Sequence, residues 1–197
     1  NPSSLLLVLV VLVIGTFFAA NFFVFVDKEE DKLAAAISRK VQKIEEEFGE
    51  DYLRLLLENR PEDPLSFTNL TVLAKHPYYV FSESGDLIYW SNFSHMPSFD
   101  MINPKETQRI LENSKGVYYT RIRRFSRNSQ GFWLIQWYPL YYKRDFQNQY
   151  LESGFNSDVF NQAPLTLSAT PEPSFLDIRG KRGEYLFSVQ FDPEVNS

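Results

Sequence analysis

The chain has 197 residues, a formal net charge of −5, 44% hydrophobic and 16% aromatic residues, and no cysteine. This composition excludes a disordered tail, a disulfide-stapled miniprotein and thiolate chemistry. Its acidity argues against sequence-independent nucleic-acid binding, which rests on neutralising phosphates.

In chain order, Leu5 to Val26 (LLLVLVVLVIGTFFAANFFVFV) carries no charge. At 1.5 Å per residue it spans about 33 Å, enough for a hydrocarbon core of about 30 Å. Residues 1–26 are therefore read as a stub and a transmembrane helix. A cleaved signal peptide fits less well, because Phe18 occupies a small-residue position and the apolar run continues past Ala19-Ala20. No Lys or Arg precedes the segment, so charge does not fix its orientation. A large domain after an N-terminal anchor usually lies across the membrane. The expectation is an anchor in the inner membrane with residues 27–197 extracytoplasmic, periplasmic in a Gram-negative cell. The absence of cysteine favours a bacterial envelope over an animal ectodomain.

Residues 27–60 predict one long membrane-proximal helix. Leu33, Ile37, Val41, Ile44, Phe48, Tyr52 and Leu55 recur at steps of four and three, and Pro61 and Pro64 stop the pattern. The step is close to a heptad. It suits a dimeric stalk, a helix laid on its own domain's sheet, or both, with the upper half pairing and the lower half packing on the domain. The carboxylates Glu45-Glu46-Glu47 and Glu50-Asp51 read as solvated charge on an exposed face.

Residues 61–197 change texture to short aromatic and β-branched runs, a ring-rich core that suits sheet. Tyr78–Ser82 and Leu87–Ser91 around Gly85 predict a hairpin. Pro104 at a first helical position predicts a short helix through Asn113, closed by Gly116. Val117–Phe125 alternates as a strand, and Asn128–Gly131 reads as a turn. Phe132–Tyr142 predicts a long central strand with a bulge or an end near Pro139. A short helix over 145–153, a loop-rich Gly154–Pro173 and a final hairpin (Phe175–Ile178 and Glu184–Phe191) follow. The order gives an α+β fold: one antiparallel, PAS-like (PDC/Cache-like) sheet with helices on one face.

Few residues here carry chemistry. No phosphate loop, nucleophile elbow or HExxH is present, and the two histidines, His76 and His95, stand apart in loop sequence. No catalytic residue, metal ligand or cofactor is expected. Arg121, Arg123, Arg124 and Arg127 crowd one strand and its turn. Alternation puts Arg121 and Arg123 on one face with Tyr119, where they could clamp a carboxylate or phosphate. The competing reading is an edge strand guarded by positive charge. Trp90, Trp133 and Trp137 suit a pocket wall or a core. The candidate ligand-binding set is Trp90, Tyr119, Arg121, Arg123 and Trp137. Asn69 and Asn92 head glycosylation triplets that matter only in a eukaryotic source.

Several runs resemble one family. Asp86 to Asn92 (DLIYWSN) resembles the G-x-L-x-Y-W-S-N strand in extracytoplasmic sensor regions of certain transmembrane histidine kinases, mostly from Bacteroidetes. Gly116-Val117-Tyr118-Tyr119 resembles their next strand, and Leu134 to Leu151 a following block ending N-E-Y-L, with Gln149 in place of Glu and the proline displaced to Pro139. Phe155-Asn156 and Gly183 to Val189 (GEYLFSV) resemble later pieces. The resemblance implies the input end of a two-component receptor, working as a homodimer and sensing a small molecule or an envelope protein. It places a second membrane helix and the kinase, with its ATP and Mg, beyond Ser197. The alternatives are a membrane-anchored envelope assembly protein and, less well supported, a tethered envelope hydrolase.

Overall fold

The computed structural model describes residues 31–57, 74–92, 96–101, 108–127, 129–144, 153–161, 164 and 166–191. The expected anchor over 1–26 lies outside these residues, as does nearly all of the short helix expected over 145–153. Among the described residues no helix is long and apolar enough to cross a membrane.

Helix α1 covers residues 31–57. Its apolar stripe is spent inside its own domain, since Ile37, Val41, Ile44, Phe48 and Leu55 are all buried against strands. Of the two uses of a near-heptad, the packed helix is the one realised over these residues.

The larger sheet contains β1 (Tyr78–Ser82), β2 (Leu87–Trp90), β3 (Gln108–Asn113), β4 (Gly116–Arg127), β5 (Gln130–Tyr142) and β6 (Gly154–Phe155). It is antiparallel, in the order β2-β1-β5-β4-β3, with β6 paired to the end of β5. The long apolar β5 is central, as its composition requires. Val117 pairs with Tyr141 and Tyr118 with Pro139, so Leu140 bulges. Pro139 has no N–H for the ladder. The carbonyls at the kink are claimed instead by Asn156, whose side chain donates to Pro139 O at 2.8 Å and whose N–H donates to Leu140 O at 2.9 Å.

Three expectations need correction. Gln108–Asn113 is a strand, not the end of a helix. Each of its residues pairs with β4, and this non-local ladder outweighs the helix propensity of Leu111 and Glu112. The Asn113 carboxamide oxygen accepts the N–H groups of Lys115 (2.8 Å) and Gly116 (3.1 Å), so these residues close a hairpin instead of capping a helix. The arginine-rich β4 is not an edge, because β3 and β5 flank it. Finally, there are two sheets. The stretch read as loop supplies β6 and β7 (Thr166–Ser168), and β7 joins β8 (Leu176–Arg179) and β9 (Tyr185–Gln190) in a three-stranded sheet ordered β7-β9-β8.

Helix α1 ties the two sheets together. Its N-terminal half packs Ile37, Val41 and Ile44 into one cluster with Ile178, Phe187 and Val189 of the small sheet and Phe191 just after it. Its C-terminal half sets Leu55 on Tyr78, Val80, Phe125, Phe132 and Leu134 of the large one. The far face of the large sheet carries its own aromatic cluster of Tyr79, Phe81, Tyr118, Ile122, Ile135 and Trp137.

Candidate functional site

Strand alternation on β4 sends Tyr119, Arg121 and Arg123 toward α1, and Tyr118, Thr120 and Ile122 the other way. The helix meets them with Glu45. Val41 and Phe48, four residues before and three after it, are fully buried, so Glu45 is carried inward on the same stripe. Its Oε1 accepts the Tyr119 hydroxyl at 2.7 Å and Arg121 Nη1 at 3.3 Å. Burial, and then the Glu45 carboxylate, push the Tyr119 phenol far above its usual range, so it remains a proton donor.

Arg123 is half-buried beside them. Its Nη1 donates weakly to Phe48 O at 3.5 Å, and its guanidinium lies 4.5 Å from the Tyr52 ring centroid. Burial, then the charge of Arg121, hold it below the ordinary arginine value. The Nε of Arg121 is buried with no hydrogen-bond partner.

These side chains form the floor of a cleft of about 230 Å³ between α1 and β4. The turn between β8 and β9 closes it with Lys181, Arg182 and Glu184. That turn is fixed by Gly180 N–H donating to Glu184 O (2.9 Å) and by Gly183 at a φ of 81°. Lys181 reaches across to Glu46 at 2.8 Å.

No protein-family profile, no curated protein and no solved structure matches this chain.

Of the sequence-derived ligand set, the structure brings together Tyr119, Arg121 and Arg123. It does not bring Trp90 and Trp137 to them. Those two lie on the opposite face of the sheet, where Trp137 stacks on Tyr118 (4.5 Å between ring centroids) and meets Tyr79 edge-on (5.1 Å). Trp137 is thus core, and Trp90 packs against that core half-buried.

The carboxylate run is not the solvated face expected of it. Glu46 and Glu50 are exposed, but Glu45 and Asp51 are buried. Asp51 accepts the N–H of Lys75 at 3.1 Å. Glu47 bonds His76 Nε2 at 2.8 Å, and that ring sits edge-on to Phe48 and Tyr138. His76 is therefore a docked residue between helix and sheet. His95 lies outside the described residues.

Sequence reasoning missed Glu45, Lys181 and Arg182. The first carried a signal, a charge at a stripe position. The other two carried none, since only the fold brings the last hairpin to the helix. A larger open groove of about 610 Å³ runs past Lys143, Arg144 and Phe155. Its two cations are exposed, and it holds none of the candidate residues. Among the described residues no group of three or more His, Asp or Glu side chains is placed to hold a metal ion.

Proposed function

We propose that the chain is the extracytoplasmic signal-input domain of a membrane-bound two-component sensor histidine kinase, passing a stimulus to a cytoplasmic kinase. One observation carries this reading. Helix α1, which follows the apolar segment Leu5–Val26, is packed on β9, the last strand among the described residues, with Ile37, Val41 and Ile44 in one cluster with Phe187 and Val189 of that strand and Phe191 just after it. Two polar ties hold the helix to β8, the neighbour of β9 in the same sheet: Ser38 Oγ accepts Arg179 N–H at 3.2 Å, and Gln42 Nε2 donates to Arg179 O at 3.1 Å. A receptor of this kind needs its entry helix and exit strand in one packed unit, so that a change in the domain alters their relation.

The strand order β2-β1-β5-β4-β3, with a long helix across one face, supports the PAS-like reading of the larger sheet. In this reading the domain works as a homodimer anchored in the inner membrane, and the membrane helices are the two-state element. A stimulus biases them only by its differential affinity for the two states. The chain itself performs no catalysis, and ATP and Mg belong to the kinase.

Reading the gene past Ser197 tests this directly. The expected result is a second apolar span followed by a histidine-kinase region. A reading frame without either would overturn the proposal and turn the search toward an envelope assembly partner.

A further inference from the structure

We propose that the cleft between α1, β4 and the β8–β9 turn binds a small multivalent oxyanion, bearing carboxylate or phosphate groups. As the identity of the stimulus, this rests on the sensor reading; as a binding site, it stands on the charges described here.

The cleft is lined by four cationic side chains and three carboxylates. Glu45 is engaged by Tyr119 and Arg121, and Glu46 by Lys181. Glu184 accepts the backbone N–H of Arg182 at 2.8 Å. That leaves the guanidinium groups of Arg123 and Arg182 without a carboxylate partner among the described residues. The Nε of Arg121 is buried and unsatisfied.

Arg121 and Arg123 are two residues apart on one strand face, about 7 Å by strand geometry. Two partly desolvated cations so close repel each other; the Arg121 Nε has no acceptor, and Arg123 has the long 3.5 Å contact to Phe48 O and no carboxylate. The group that relieves both is one with several acceptor oxygens, since guanidinium forks match carboxylate and phosphate planes. The space suits a small ligand: about 230 Å³ lies just under the roughly 300–1,000 Å³ of pockets that hold drug-sized molecules.

The floor of the cleft belongs to the helix and the large sheet, and its lid to the small one. Lys181 and Arg182 are exposed on a turn between Gly180 and Gly183. An anion held by Arg121 and Arg123 would draw that turn toward the floor. Because β9 continues from the turn, ligand binding acts on the same α1–β9 contact that the sensor reading requires.

The experiment uses the full chain in detergent micelles at constant ionic strength, titrated calorimetrically with inorganic phosphate and, separately, with citrate. One probe or the other is expected to bind at one site per chain, and which one distinguishes phosphate from carboxylate chemistry. Arg123→Gln and Arg182→Gln should each weaken binding at least about tenfold. Lys143→Gln, in the other groove, should leave it unchanged. Arg182 is exposed on its turn, so its variant reports on the site even where Arg123→Gln fails to fold. No binding of either probe, or binding indifferent to Arg182→Gln, overturns the site. Phosphorylation of the full-length protein is scored separately. Kinase activity without anion binding overturns the site alone, and anion binding without kinase activity overturns the sensor reading alone.

Discussion

Glu45 shows how one residue's position decides its chemistry. It belongs to an acidic run that composition alone assigns to solvent, yet its spacing from Val41 and Phe48 puts it in the core. The Glu45→Ala variant leaves the Tyr119 hydroxyl and Arg121 without their acceptor. It should cost about 2–3 kcal/mol, read as a lower urea midpoint at unchanged slope. Glu47 makes a second prediction, in pH. Burial raises its carboxyl, but the hydrogen bond and charge of His76, with Lys75 and Lys43, outweigh this and leave it below 4.5. A carboxyl lowered on folding adds stability above its unfolded value and loses it as pH falls through the folded one. The chain should therefore lose stability as pH drops below 4.5, and Glu47→Gln should flatten that part of the profile in acid-titrated urea melts. Alternation made the shared face of Tyr119, Arg121 and Arg123 legible. The burial of Glu45 was legible only by applying the apolar stripe to a charged residue. The contribution of Lys181 and Arg182 was not legible at all, because nothing local encodes which helix a hairpin turn will meet.

Among the elements, the sequence announces best those whose pattern and environment agree. The first and last hairpins, the helix stripe and the bulge beside Pro139 all stand where periodicity and proline chemistry put them. The exceptions are instructive. Residues around Ile110 and Leu111 read as the end of a helix because Pro104 and Gly116 bracket them as start and stop signals. In the fold Gly116 instead begins β4 at a φ of 152°, with its α-carbon against the Tyr141 carbonyl, where a Cβ would collide with backbone. Gly116→Ala should thus destabilise by about 2 kcal/mol or more, a loss a helix-capping glycine would also show. The two roles separate by hydrogen exchange: a hairpin loosens the β4–β5 amides near Tyr141, whereas a helix cap would not. Strands β6 and β7 were illegible for a different reason. Two- and three-residue strands are too short to show a period, and their pairing depends on Tyr141 and Val189 far along the chain.

At the scale of the whole molecule, α1 acts as a beam between two sheets. A single-sheet plan, which the sequence suggested, would leave the last hairpin on the same sheet as the first. The observed division gives the last hairpin its own small sheet, bolted to the N-terminal half of the helix and facing the large sheet across a charged cleft. That layout makes the cleft a place where one ligand touches helix, central strand and final hairpin together, and so can favour one arrangement of them over another. The α+β character, the long helix and the antiparallel strands were all readable from the sequence. The split into two sheets was not, since it depends on which strand edges remain free after β5 has taken its neighbours. The most direct test of the sensor account is to incubate membrane vesicles carrying the full-length gene product with labelled Mg-ATP. The account predicts label on the protein in an acid-labile, alkali-stable bond, as phosphohistidine gives, and a change in its level when the cleft is filled. Absence of any label on a folded, membrane-inserted protein would contradict it.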